Sequence, residues 1–300
     1  MLIGGGELLV IGAVKLARHL GMRPMLIGLT IVAFGTSLPE MFVSLTASLA
    51  GYTDIMIGNV VGSNIANIGL ILGISVLLYP LKVHFERVSL ELYLVSAASL
   101  LVVGIGLIGF FYRIFGLVFV ACLILYTFLA YQRTSGKKTL SEGSEEGSST
   151  QRSKIFLQIV LCLAGILLLA LGSDLFIDGA VDLARYFDVS ELVVGLTLAA
   201  LGTSLPELVT SFSAIRRRQS DILVGNVVGS NFFNLLMVMG GTALVKPFAI
   251  SSRVLYRDLP FMVGLTLILI PLLKRRRRML RGQGLFLLGV YGIYIYILTL

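Results

Sequence analysis

A stretch of 63 residues occurs twice in this chain of 300, and the way two such copies must enter a bilayer constrains the fold most. Residues 5–67 and 172–234 align without a gap at an offset of 167, and 30 of the 63 positions are identical. Both copies contain GAV (12–14, 179–181), LAR (16–18, 183–185), GTSLPE (35–40, 202–207) and GNVVGSN (58–64, 225–231). Self-similarity of this extent marks a duplicated unit. The copies are embedded in apolar text: 57% of the chain is hydrophobic and only 13% charged. That is too much apolar surface for a soluble domain of this size and places the chain among polytopic membrane proteins.

Runs of roughly 20 apolar residues, the length that crosses a core about 30 Å thick, fall near 1–18, 24–49, 54–79, 89–109, 112–131, 154–182, 191–215, 221–245, 258–273 and 284–300. The expected fold is an all-α polytopic membrane protein with about ten transmembrane helices in two inverted five-helix repeats. The first repeat takes residues 1–131. Residues 132–153, QRTSGKKTLSEGSEEGSSTQRS, are rich in Ser, Gly and charge and read as a flexible linker. The second repeat takes 154–300. An odd number of spans per half turns the second copy over, and the flanking charges agree: SLAG (48–51) is matched by IRRR (215–218), and Lys15 by Asp182. Inverted repeats are a common construction of secondary transporters, with the site where the copies meet.

The net charge of +8 does not require a nucleic-acid partner. With the first inter-span loop in the cytoplasm, 19 of the 24 basic residues lie inside; only Arg113, Arg185, Lys246, Arg253 and Arg257 lie outside. The positive-inside rule thus accounts for the basicity in a multi-pass cell-membrane protein with both termini outside and the 132–153 linker in the cytoplasm. The KRRRR run (274–278) reads as an orientation anchor on anionic lipid. The first run has no basic n-region and is not read as a cleavable signal. The second copy's opening helix begins earlier than the first copy's, so the first span starts short. Cys122 and Cys162 read as small buried thiols, and His19 and His84 as solvated residues at span ends. Glu7, Asp174 and Asp178 read as packing polar groups.

Each GTSLPE copy breaks an apolar helix and adds an acid. Pro39 and Pro206 have no amide hydrogen, so the carbonyls of Gly35 and Gly202 lose their helix partners. In hydrocarbon such a carbonyl must be satisfied by something else. Thr36, Ser37, Thr203 and Ser204 lie beside them. Glu40 and Glu207 follow one turn on, on the face of Thr36 and Thr203. No Lys or Arg falls mid-span to pair with either carboxylate. Hard oxygen ligands without thiolate or imidazole favour Ca²⁺, Na⁺ or protons over a transition metal. In the next span of each half, Ser63 shares a face with Asn67 and Ser230 with Asn234. Together with Asn59 and Asn226 they offer neutral oxygens that could complete a coordination shell.

GTSLPE followed by GNxxGSNxxN, twice and inverted, resembles the repeats of the calcium:cation antiporter superfamily, which includes the sodium/calcium exchangers. The likeness spans nearly the whole chain. It implies a secondary antiporter, not an enzyme, exchanging Ca²⁺ for Na⁺ by alternating access, with a proton-coupled Ca²⁺/H⁺ exchanger as the alternative. By position it implies Ca²⁺ ligation at Glu40 and Glu207 with Thr36 and Thr203 beside them. It places monovalent-ion sites at Ala33, Ser37, Ser63, Ala200, Ser204 and Ser230, the alanines acting through carbonyls, and midplane amides at Asn67 and Asn234. Many sodium/calcium exchangers carry Asp where this chain has Asn234, and potassium-dependent relatives also use an acid there. Two charges remain, which one Ca²⁺, two protons or two to three Na⁺ would balance. No permanently bound cofactor is expected; the partners are inorganic cations and membrane lipid, with a monomer allowed. A channel would need a continuous pore and would conduct without a counter-ion gradient. An intramembrane enzyme would need a nucleophile or buried His–acid set that the span centres lack.

Overall fold

The computed structural model describes residues 1–135, 148–186, 202–274 and 278–298. The helices are α1 (Leu2–His19), α2 (Pro24–Thr36), α3 (Leu38–Leu49), α4 (Thr53–Leu78), α5 (Phe85–Ile108), α6 (Arg113–Ser135), α7 (Ser148–Tyr186), α8 (Leu205–Arg216), α9 (Ser220–Val245), α10 (Val254–Lys274) and α11 (Arg281–Leu298). Among the described residues, seven helices are long and apolar enough to cross a membrane. The bent pair α2/α3 adds an eighth span, with 41° between its arms. α1 falls in the run expected first and α8 in the described part of the run expected near 191–215, and neither is by itself among those spans. Helix runs further into the linker than the composition suggests: α6 reaches Ser135 and α7 begins at Ser148.

The inversion can be read from four two-residue strands. β1 (Leu81–Lys82) and β2 (Phe110–Phe111) flank α5, while β3 (Phe248–Ala249) and β4 (Arg278–Met279) flank α10. α5 has 24 residues, about 36 Å at 1.5 Å per residue, so β1 and β2 lie on opposite faces of the bilayer. β1 pairs antiparallel with β4, and β2 with β3. In the repeat, β3 is the counterpart of β1 (81 + 167 = 248) and β4 of β2 (110 + 168 = 278). Each strand therefore shares a face with the counterpart of its opposite number, which is possible only if the second half is upside down. The loop contacts follow the same division. Arg87 pairs with Asp221 at 2.8 Å on the β1/β4 face. Lys246 and Arg113 donate to the carbonyls of Leu49 and Val245 on the β2/β3 face.

The motif helices occupy the centre. The apolar windows of α9 and α4 are 94% and 78% buried, against 17% for α6 and α11. Glycines bring the central helices to backbone contact: a Cβ at Gly225 would lie 2.5 Å from the carbonyl oxygen of Met25, and one at Gly229 2.7 Å from that of Leu29. Small residues at such a crossing are how helices pack when lipid leaves little hydrophobic drive between them. α1 runs antiparallel along α7, with Gly5 against Gly165 and Gly12 against Cys162. Peripheral α6 explains one departure from the sequence reading: Cys122 is exposed on the lipid side, while Cys162 is buried. A second departure is His84, which is half-buried with Nδ1 unbonded rather than solvated.

Candidate functional site

The helix break sits at Ser37, two residues before the proline. Ser37 has φ −86°, ψ 4°, and Ser204 has φ −86°, ψ 3°, so the two copies break identically. Pro39 and Pro206 then occupy the first turn of α3 and α8, where an amide hydrogen is not needed. Glu40 and Glu207 lie in the same first turns. α2 ends and α3 begins at this depth, so helix-terminal dipoles face one another at the centre of the bundle.

Every expected site residue within the described regions is buried. Glu40, Glu207, Ser37, Ser63, Ser230, Asn67, Asn234 and Ala33 are fully buried, and Thr36, Thr203 and Ser204 nearly so. Ala200 lies outside the described residues. The Ala33 carbonyl already accepts the Ser37 amide at 3.0 Å and the Thr36 hydroxyl at 3.3 Å.

The two halves are stitched together by side chains. Thr36 Oγ1 donates to Asn226 Oδ1 at 3.3 Å, and Thr203 Oγ1 donates to Asn59 Oδ1 at 3.0 Å, the same link seen from each half. Thr36 Oγ1 also lies 3.4 Å from Ser230 Oγ, Ser204 Oγ donates to Ser63 Oγ at 3.2 Å, and Ser37 Oγ reaches Glu207 Oε1 at 3.5 Å. Asn59 Nδ2 donates to Ser44 Oγ (2.9 Å) and to the Glu40 carbonyl (3.2 Å), and Asn226 Nδ2 to Ser211 Oγ (3.5 Å). Sequence reasoning offered Asn59 and Asn226 chiefly as ligands; here both bind helix to helix across the repeat interface. Asn67 Nδ2 donates to Asn231 Oδ1 at 3.0 Å.

A set of buried polar atoms is left with no hydrogen-bond partner: both Glu40 carboxylate oxygens, Glu207 Oε2, Asn67 Oδ1, Asn234 Oδ1 and Nδ2, and Thr210 Oγ1. An ionised carboxylate at the bilayer centre costs about 3 kcal/mol even on the milder scale, and unsatisfied acceptors add to that. The four ion pairs among described residues, Arg87–Asp221, Arg216–Glu7, Arg217–Glu7 and Arg257–Asp258, leave Glu40 and Glu207 without a basic neighbour. Five of these atoms are carboxylate or amide oxygens, and such a concentration of unpartnered acceptors, with no basic side chain beside it among the described residues, is a cation-seeking environment. Among the described residues no three His, Cys, Asp or Glu side chains cluster as a transition-metal site. Sequence reasoning missed Ser44 and Ser211, although both copies place Ser four residues after the glutamate. It also missed Thr210, whose counterpart is Val43 and which carried no repeat signal.

Residues 1–132 and 157–300 match the sodium/calcium exchanger protein family. The chain belongs to that family. Its members are transporters, and this chain is a cation/Ca²⁺ antiporter of the multi-pass membrane type, not an enzyme. It is 36% identical to the inner membrane protein YrbG of Escherichia coli, over 99% of this chain and 93% of that protein. It is 30% identical to the sodium/calcium exchanger MaX1 of Methanosarcina acetivorans, over 99% of this chain and 95% of that one. Among solved structures, the sodium-calcium exchanger NCX_Mj soaked with Na⁺ and Ca²⁺ superposes with a TM-score of 0.84 at 31% identity, covering 98% of this chain and 94% of its own.

Proposed function

We propose that this antiporter exchanges Ca²⁺ for Na⁺ through one site built on Glu40 and Glu207. The observation that carries the reading is the pair of fully buried glutamates, one from each inverted broken helix, with bare carboxylate oxygens and no basic partner among the described residues. Thr36, Thr203, Ser37, Ser204, Ser63 and Ser230 ring the two acids with hydroxyls, and Asn67 and Asn234 supply neutral amide oxygens. Ala33 and Ala200 complete the proposed ligand set through their carbonyls. Ca²⁺, which takes six to eight oxygen ligands at 2.3–2.6 Å, balances the two charges; Na⁺ competes for the same oxygens. The pseudo-two-fold relation supports alternating access, since each half presents the same break to an opposite side of the membrane. The solved relative NCX_Mj was soaked with both ions, which favours Na⁺ as counter-ion.

The proton-coupled reading is favoured by one observation: with amides at both 67 and 234, two protons neutralise the site fully. Purified protein in liposomes separates the readings. ⁴⁵Ca²⁺ uptake that needs an outward Na⁺ gradient supports Na⁺ coupling, uptake that needs only an imposed pH gradient moves the assignment to H⁺, and uptake indifferent to both overturns the exchanger reading. In either case protons compete for the carboxylates, so uptake at fixed Ca²⁺ falls as pH is lowered. Orientation follows the charges: the β1/β4 face, with most of the Lys and Arg, is cytoplasmic, and both termini are outside. The transported ions are the only cofactor-like species in this scheme, and one chain carries both halves of the proposed site.

A further inference from the structure

The repeat extends past residue 67 into a pair of clefts that the transport site does not use. A cleft of 780 Å³ lies on the lipid side between α2, α5, α6 and α9. A second of 370 Å³ lies between α10 and α11. The two are inversion mates: Ala97, Ala98 and Leu101 of the larger correspond to Gly264, Leu265 and Ile268 of the smaller (offset 167), and Val118 and Cys122 to Phe286 and Val290 (offset 168). Each has a buried carboxyl beside it on the fourth span of its half, Glu91 and its counterpart Asp258.

The mates differ in how that polarity is met. In the second half Arg257, standing where the first half has Leu90, pairs with Asp258 at 2.8 Å and satisfies it internally. In the first half Glu91 accepts a neutral hydrogen bond, from Tyr126 at 2.9 Å, and makes no ion pair among the described residues. The cleft there also reaches a charged mouth. Arg87 at the mouth is held by Asp221. Arg23 and Glu86 are exposed there and make no ion pair among the described residues. From Arg87 to Leu101 the cleft follows fourteen residues of α5, about 21 Å. That matches one leaflet with its headgroups, half of about 40–45 Å.

We infer that this cleft is a specific site for one phosphatidylethanolamine molecule of the β1/β4-side leaflet, one of its two acyl chains along α5 and α6, its phosphate on Arg23 and its ammonium on Glu86. Charge complementarity selects the occupant. The mouth offers one unpaired cation and one unpaired anion; an ammonium with N–H donors uses both. Phosphatidylcholine has no N–H to give Glu86, and phosphatidylglycerol brings no cation to it. The cleft also touches the transport machinery. Leu29 on its wall stands seven residues before Thr36, and Phe232 and Leu236 bracket Asn234. The Tyr126 ring packs edge-on against Phe232 with centroids 4.9 Å apart. A lipid here braces α2 against α9.

The test uses the whole purified chain, incubated with an equimolar mixture of the three phospholipids with identical acyl chains and weighed by native mass spectrometry. The wild type should retain one phosphatidylethanolamine in preference to the others. Ala97→Trp, which fills the cleft from its lipid-facing wall, should abolish retention, whereas Gly264→Trp in the mate should not. Arg23→Gln should lower retention about tenfold, the worth of one charge-assisted contact of ~1.4 kcal/mol. Glu86→Gln should erase the preference over phosphatidylcholine. Equal retention of all three lipids by the wild type overturns the proposal, as does undiminished retention in both Ala97→Trp and Arg23→Gln. Retention is read without transport, so this result stands apart from the ion assignment.

Discussion

The two copies of the motif region share their backbone and much of their side-chain network, but not all of it. Ser37 and Ser204 break the helix with the same dihedrals, and Thr36–Asn226 repeats Thr203–Asn59. Asn59–Ser44 likewise repeats Asn226–Ser211, and Ser37 reaches Glu207 as its mate Ser204 approaches Glu40. The copies part at the asparagines: Asn67 is held by Asn231, while neither polar atom of Asn234 has a hydrogen-bond partner among the described residues. Duplication fixes where a helix must break, because proline and hydroxyl chemistry act locally. It does not fix which of two identical side chains takes a shared partner at a common interface. A site made this way has one shared centre rather than two equal ones.

The largest expected effects test whether both halves contribute to that centre. Glu40→Gln and Glu207→Gln keep shape and remove one charge each. Loss of one partner in a buried charge pairing costs about 2–5 kcal/mol, so at about 1.4 kcal/mol per tenfold Ca²⁺ uptake should fall about thirtyfold or more in either variant. A variant that keeps full uptake removes its half from the site. Next in size is the hinge of the comparison, the two threonine–asparagine links. Asn59→Ala and Asn226→Ala each leave buried partners unsatisfied, at about 1–3 kcal/mol. Both should lower the melting temperature in detergent by similar amounts, and clearly unequal losses would show that the links are not equivalent.

The asparagine pair then separates the halves. Asn234→Asp adds a carboxylate where no hydrogen bond exists to be lost. It should therefore cost the fold only the burial of one more carboxylate and alter the Na⁺ dependence or charge stoichiometry of exchange. Asn67→Asp removes the donor to Asn231 Oδ1 and sets two acceptors face to face. It should cost a further ~1–3 kcal/mol of stability, read as a lower melting temperature than that of Asn234→Asp. Equal stability of the two aspartate variants would mean that the two asparagines are held alike.

Much of the architecture could be read from residues alone. Apolar run length located the seven spans and the broken pair seen among the described residues, and an odd count per half with reversed flanking charge implied the inversion that the strand pairing shows directly. The break was placed by proline, yet it falls at Ser37, because proline sits most easily in the first turn of the helix that follows. Asn59 and Asn226 were visible as polar groups, but whether an amide faces an ion or another helix depends on packing across the two halves. Glu91 escaped notice because the identity of the copies fades after Asn67 and its mate is Asp258, a different residue with a different partner. Cys122 was misplaced for a related reason: composition cannot tell a central span from one that faces lipid.

The smallest expected effect concerns the edge of the molecule rather than its centre. Glu7 on α1 pairs with Arg217 and lies 3.6 Å from Arg216, both beyond the end of the second half's broken helix or in its last turn. Its counterpart Asp174 is exposed, and the matching loop of the first half, 48–51, is SLAG with no basic residue. This tie is therefore made once, not twice, and it fastens α1 to α8 on one face only. Ion pairs this exposed contribute about 0–1 kcal/mol and are weakened by salt. Glu7→Gln should lower the melting temperature by no more than a few degrees, less at high salt, while Asp174→Asn should leave it unchanged. Because α1 packs against both α7 and α8, a loss of exchange in Glu7→Gln without a comparable loss of stability would mean that the single tie acts on the motion of α1 rather than on the fold.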